Sequence, residues 1–158
     1  MKKNNIIVEN YTRSKIVFRN IFRTVDFFLK LTKTNVKTLS ISFIGDEEME
    51  LLNRKYLSHK GSTDIITFDY SDNQSTADDI DAEMIICVDQ AKRQSKNYNV
   101  LLNEELNRLL FHGFLHLTGF DDKDAKKIKI MKSREEEILR LWNQYNLCLS
   151  NNFGAING

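Results

Sequence analysis

The chain has three histidines, and two of them, His112 and His116, stand four residues apart in the stretch FHGFLHLTGFDD, residues 111 to 122. On a helix that spacing puts both on one face, one turn apart. Two imidazoles so placed can point at one atom, the geometry by which an HxxxH pair holds zinc. Gly119 and Phe120 then turn the chain, and Asp122, six residues after His116, can swing back with a carboxylate. Two imidazoles, one carboxylate and a water make a tetrahedral catalytic zinc site with one exchangeable position. The same residues have a plainer reading. An HxxxH pair alone more commonly marks two packed histidines. Gly119 is a helix stop, and Asp121, Asp122 and Asp124 can cap the next helix.

The elements that must position this pair follow from periodicity. NIIVEN is a short apolar run, a strand. From Ser14, a candidate N-cap, the apolar residues Ile16, Val17, Ile21, Phe22, Val25, Phe28 and Leu29 recur at helical spacing. KTLSISFIG alternates Leu39, Ile41 and Phe43 against Ser40 and Ser42, a strand that stops at Gly45. Asp46 then caps DEEMELLNRKYL, whose early glutamates suit the positive end of a helix dipole. STDIITFDY and EMIICV read as strands. The acidic stretch from 69 to 83 reads as a solvated connection. Asp89 is placed to cap the helix that begins at QAKRQ. LNEELNRLLFHGFLHL reads as a helix capped by Asn103, and its apolar flanks Leu109, Leu110, Leu115 and Leu117 put it at the centre of the packing. A long amphipathic helix follows, with Ile128, Met131, Ile138, Leu141 and Trp142 on one stripe.

The order is strand, helix, strand, helix, strand, strand and three helices. That is an α+β (α/β-like) fold: a small mixed sheet of about four strands packed with about five helices. Residues 1–150 form one domain and 151–158 a frayed tail.

At 158 residues the chain is long enough for one domain with a real core, and 28% charged residues against 41% hydrophobic excludes wholesale disorder. The net charge of +1 gives no sign of a strongly basic nucleic-acid binder, so any RNA reading must rest on a site. Cys87 and Cys148 form neither a disulfide framework nor a zinc knuckle. No segment has the length of a membrane span or of a signal peptide, and the chain reads as cytosolic. Proline is absent, so no helix is broken by a ring.

HGFLHLTGFDD resembles the H-G-x-L-H-L-x-G-Y-D-H signature of the YbeY-type endoribonucleases, the bacterial rRNA maturation factors. LNRKYLSHKGSTDIITF and AEMIICVDQAKRQSKNYN resemble two further segments of that family in the right order, and the resemblance spans about residues 40 to 142. It implies a single-metal hydrolase, zinc-bound, acting on RNA in ribosomal RNA maturation, notably at the 3′ end of the small-subunit RNA, and in ribosome quality control. Its ligands here are His112, His116 and Asp122, the aspartate standing where the family has a third histidine. Aspartate is a competent zinc ligand, but it leaves the ion less positive and admits other transition metals. The family arginine after the tyrosine of LN…Y falls on Leu57, with Arg54 or Lys55 one turn earlier as a replacement for its charge. The chemistry expected is phosphodiester cleavage by the metal and its bound water. Candidate cations for the RNA backbone are Arg54, Lys55, Lys60, Lys92 and Arg93, each also readable as a solvated surface charge. His59 is an alternative ligand or proton donor. Thr63 and Asp64 lie in a site-facing segment by resemblance; by residue type they are a turn entering a strand.

Two rival readings stand beside this one. An HExxH peptidase carries a glutamate after its first histidine, and here that position is Gly113, so that base is missing. The same gap leaves an RNase to rely on the metal-bound water or on the RNA's own 2′-hydroxyl. The other rival is a non-catalytic ribosome-associated factor that binds RNA or small-subunit ribosomal proteins, its metal structural or absent. The alternating charges of KDAKKIKIMKSREEE suit such contacts, as they suit a solvated helix face.

Overall fold

A computed structural model describes residues 1–57, 63–72 and 79–154. In chain order the elements are β1 (Lys2–Lys3), β2 (Ile6–Asn10), α1 (Phe18–Thr32), β3 (Asn35–Ile44), α2 (Asp46–Leu52), β4 (Ile65–Asp69), β5 (Asp79–Cys87), α3 (Val88–Asn97), α4 (Leu102–Leu117) and α5 (Ala125–Gly154). One π-helical turn, Asn53–Leu57, continues α2. The expected order of strands and helices is present, with the two-residue β1 added at the sheet edge. The sheet runs β1-β2-β3-β5-β4. The central pairs β2/β3 and β3/β5 are parallel, and the outer pairs β1/β2 and β4/β5 antiparallel. The mixed character follows from the connections: α1 carries the chain from β2 to a parallel β3, while β4 returns against β5.

Period-2 alternation sends Val8, Leu39, Ile41, Phe43, Ile80, Ala82, Met84 and Ile86 into the core that α1, α4 and α5 complete. The opposite face carries Ser40, Ser42, Asp81 and Glu83, and a smaller cluster of Ile44, Met49, Ile66, Ile85 and Cys87 beneath α2. Phe28 stacks on Phe114 at 4.7 Å between ring centroids, and Phe27 meets Trp142 at 5.1 Å, joining α1 to α4 and α5. As its apolar flanks predict, α4 is central: Leu106, Leu109, Leu110, Phe111, Phe114 and Leu115 are all buried, and it touches α1, α3, α5, β4 and β5.

Several helix ends differ from expectation. Ser14 does not cap α1; it sits in a turn where its N–H donates to Thr12 Oγ1 and its carbonyl accepts from Asn10 Nδ2. The cap position is Val17, which offers no side-chain acceptor. Asp46 is inside α2: its amide donates to Asp89 Oδ2, and its carboxylate takes both arms of Arg93. Asp89 therefore ties α3 to α2 rather than capping its own helix. Leu101, not Asn103, precedes α4, and Glu104 reaches back to accept from the Leu101 N–H. Ser14 is taken up by a local turn, Asp46 and Asp89 by partners across α2 and α3, and the start of α4 by a glutamate three positions on.

The acidic stretch is strand from Asp79 onward, and residues 73–78 lie outside the described residues. Ile128 is exposed, and the buried stripe of α5 is Met131, Glu135, Ile138 and Trp142. α5 continues through Gly154, so the tail expected from 151 begins inside a helix; residues 155–158 lie outside the described set.

Candidate metal centre

His112 and His116 share one face of α4, and their Nε2 atoms face each other at 3.1 Å with the rings nearly perpendicular, 84°. The protons of the two rings follow from the other nitrogens. His116 Nδ1 lies 3.2 Å from the carbonyl oxygen of Phe120, and His112 Nδ1 lies 2.7 Å from Glu135 Oε2. A carbonyl and an ionised carboxylate only accept, so both Nδ1 atoms are the donors. Each ring then turns its other nitrogen, Nε2, toward the other ring. Two lone pairs at 3.1 Å repel unless a cation lies between them, either a proton shared with an imidazolium or a metal ion. Two nitrogens bound to one tetrahedral zinc lie roughly 3.3 Å apart. The separation fits a metal ion as well as a shared proton, and the Nδ1 partners are of the kind that orient metal-bound histidines.

The loop after α4 explains the Phe120 contact. Gly119 has φ +105°, the left-handed region that favours glycine, and Phe120 N–H donates to Leu115 O. That reversal brings the Phe120 carbonyl back over His116. The caps that follow use Asp121 and Asp124. Asp121 accepts from the Lys123 N–H and pairs with Lys127 Nζ at 3.3 Å; Asp124 accepts from the Lys127 N–H as the N-cap of α5. The Lys123 amide hydrogen bond, helped by the lysine charges, outweighs slight burial and holds the Asp121 carboxyl below its usual range. Asp122, between them, is exposed and takes neither job. Among the described residues no three His, Cys, Asp or Glu side chains are gathered to hold a metal ion. The structure thus brings together His112 and His116, and leaves Asp122 on the adjoining turn.

Sequence reasoning missed Glu135 and Arg108. Glu135 is 8% exposed on the buried stripe of α5. Burial pushes its carboxyl up, but the hydrogen bond from His112 and the charges of His112 and Arg108 outweigh that and hold it below the ordinary range. Arg108 lies one turn before His112 on the same face. It bonds Glu135 Oε1 at 3.2 Å through Nη1 and Glu105 through Nε and Nη2. Burial opposes its charge, and the Glu105 and Glu135 carboxylates more than restore it. Gln94 bridges on to Asp64, whose carboxylate accepts from Gln94 Nε2 at 3.2 Å. A signal existed: 131, 135, 138 and 142 are spaced as a core stripe, and a glutamate within it demands a partner.

The candidate RNA-binding cations fare differently. Arg54 pairs with Glu50 at 2.6 Å, Arg93 grips Asp46, and Lys55 Nζ sits 5.1 Å from the centre of the Tyr56 ring. Lys92 is exposed on α3. Lys60 and His59 lie outside the described residues.

An α+β domain with a histidine pair on its central helix defines the class, and the comparisons narrow it. The model of the family described as Endoribonuclease YbeY matches residues 2–143. A protein named Endoribonuclease YbeY from Syntrophus aciditrophicus (strain SB) is 31% identical over 84% of this chain and 86% of its own. One of the same name from Oceanobacillus iheyensis is 38% identical over 75% of this chain and 83% of its own. The solution structure of TM1509 from Thermotoga maritima is 19% identical, with a TM-score of 0.57 over 89% of this chain and 93% of that one, and shares the fold. The chain belongs to the endoribonuclease YbeY family.

Proposed function

We propose that the chain is a metal-dependent endoribonuclease that hydrolyses phosphodiester bonds in single-stranded regions of ribosomal RNA precursors in the cytoplasm, small-subunit 3′ end processing included. One observation carries the reading: two Nε2 atoms are held face to face at 3.1 Å, with an acceptor at each Nδ1. His112, His116 and Asp122 would hold one zinc ion or another transition metal. A bound ion supplies Lewis acidity toward a phosphate oxygen and an acidified water.

The chain's own residues do the rest. Arg108 and Glu135 keep the His112 ring in place. Gly113 leaves no base beside His112, which favours attack by water or by the RNA's 2′-hydroxyl. Lys55, Lys60 and Lys92 hold the RNA backbone, with Arg54 and Arg93 contributing when their carboxylate partners exchange for phosphate. Small-subunit ribosomal proteins are further partners of this reading.

The test is metal content per chain, by elemental mass spectrometry on untagged protein purified without chelator. About one equivalent is expected, lost in His116→Ala and in Asp122→Ala. Full occupancy in Asp122→Ala would remove Asp122 from the ligand set. No metal bound, and none taken up on titration, would leave a non-catalytic ribosome-associated factor as the better reading.

A further inference from the structure

We propose that Glu135 and Arg108 are positioning residues for the histidine pair: together they keep a proton of His112 on Nδ1, so that Nε2 is the nitrogen turned toward His116 and offered to an ion. The consequence for metal affinity rests on the metal-site reading above; the effect on His112 does not.

Three relationships carry the inference. Glu135 stands among Met131, Ile138 and Trp142 on the core stripe of α5, where an unpartnered carboxylate would be strongly disfavoured. Its two oxygens divide the work: Oε2 takes His112 Nδ1 at 2.7 Å and Oε1 takes Arg108 Nη1 at 3.2 Å. Arg108 cannot swing away, because its Nε and Nη2 are held by Glu105, itself 1% exposed. The carboxylate is thereby locked in direction. The partner of one imidazole nitrogen decides which nitrogen carries the proton. A carboxylate on Nδ1 leaves the Nε2 lone pair outward and makes it a stronger donor to a cation.

The geometry also couples two helices far apart in sequence. Glu135 lies 23 residues after His112 and belongs to α5, whereas both histidines belong to α4. Loss of α5 packing would disorder the pair without touching either ring.

The experiment uses the full chain, metal-free, labelled with ¹⁵N-histidine and read by NMR at about pH 8, where an ordinary imidazole is neutral. Wild type is compared with Glu135→Gln, Glu135→Leu and Arg108→Met. Leucine suits a buried apolar stripe, and glutamine keeps an acceptor oxygen, so a folded variant is available either way. In wild type the His112 proton resides on Nδ1. In Glu135→Leu it moves largely to Nε2, and in Glu135→Gln and Arg108→Met the shift is partial.

Zinc titration against a competing chelator follows on the same samples. Affinity drops about ten- to hundredfold in Glu135→Leu and less in Glu135→Gln. Glu135→Leu has no further effect in a His112→Ala background, since the two act as one unit. A wild-type His112 with its proton on Nε2, or a folded Glu135→Leu with unchanged His112 signals and zinc affinity, would overturn the proposal. If wild type takes up no zinc, the metal reading fails by itself, and the NMR comparison still decides what Glu135 does.

Discussion

Gly113 packs so closely on Met84 that a Cβ added to it would lie 2.5 Å from the Met84 Cε, and 2.8 Å from Ile65 Cδ1. The glycine between the two histidines is thus where α4 rests on β4 and β5. It sets the depth of the helix against the sheet, and with it the height of both imidazoles. A glutamate at this position would therefore face the core, not the site.

Gly113→Ala should be destabilising to the extent that the flexible ends of Met84 and Ile65 must give way, despite the better helix propensity of alanine. Overpacking costs about 1–3 kcal/mol and the propensity gain returns about 1 kcal/mol. Chemical denaturation should show a net loss of up to about 2 kcal/mol, larger for Gly113→Val. A stabilised Gly113→Ala would mean that Met84 and Ile65 yield freely.

Asp124→Ala should lower stability by about 1 kcal/mol, because the Lys127 amide loses its N-cap acceptor. Asp122→Ala, one turn position away, should leave the melting temperature of the metal-free chain unchanged, since Asp122 caps nothing. Equal losses in the two variants would contradict this division of labour.

Gly119→Ala should cost about 1 kcal/mol, the price of a left-handed φ for a residue with a Cβ. The space around that position is open, so strain is its only cause. The Phe120 carbonyl would be released from His116, and metal uptake should weaken with it.

The Glu135 carboxyl is depressed in the folded chain, so the sign of its pH dependence is fixed. Its contribution is complete above the unfolded carboxylate value of about 4.3, and is lost as pH falls through the lower folded value. In metal-free protein the stability gap between wild type and Glu135→Gln should narrow on going from neutral pH to strongly acidic pH. A gap that stays constant would mean that Glu135 is not ionised in the folded state.

The pattern of elements was legible because it rests on chain-local periodicity: the alternation of Leu39, Ile41 and Phe43, and the apolar runs of α1 and α4. The histidine pair was legible for the same reason, since four-residue spacing on a helix needs no tertiary knowledge. The caps were not, because Asp46 and Asp89 found partners across α2 and α3 that local rules cannot see. Glu135 was hidden by distance along the chain. The pairing of α4 with α5 that brings it to His112 depends on Trp142 and Met131 seating in the core, and periodicity alone does not place one helix against another. Asp122 was read as a ligand from its place after the Gly119 turn and by resemblance, and in the structure it stands on the turn beside the pair rather than with it.

In the proposed function, RNA cleavage runs through an ion held by His112 and His116. The most direct measurement is cleavage of a single-stranded ribosomal RNA precursor fragment by chelator-stripped protein, with and without added zinc, beside His116→Ala. Cleavage should return with the ion in wild type, and be lost in His116→Ala while RNA binding persists. Equal cleavage by the stripped protein, or by His116→Ala, would contradict it.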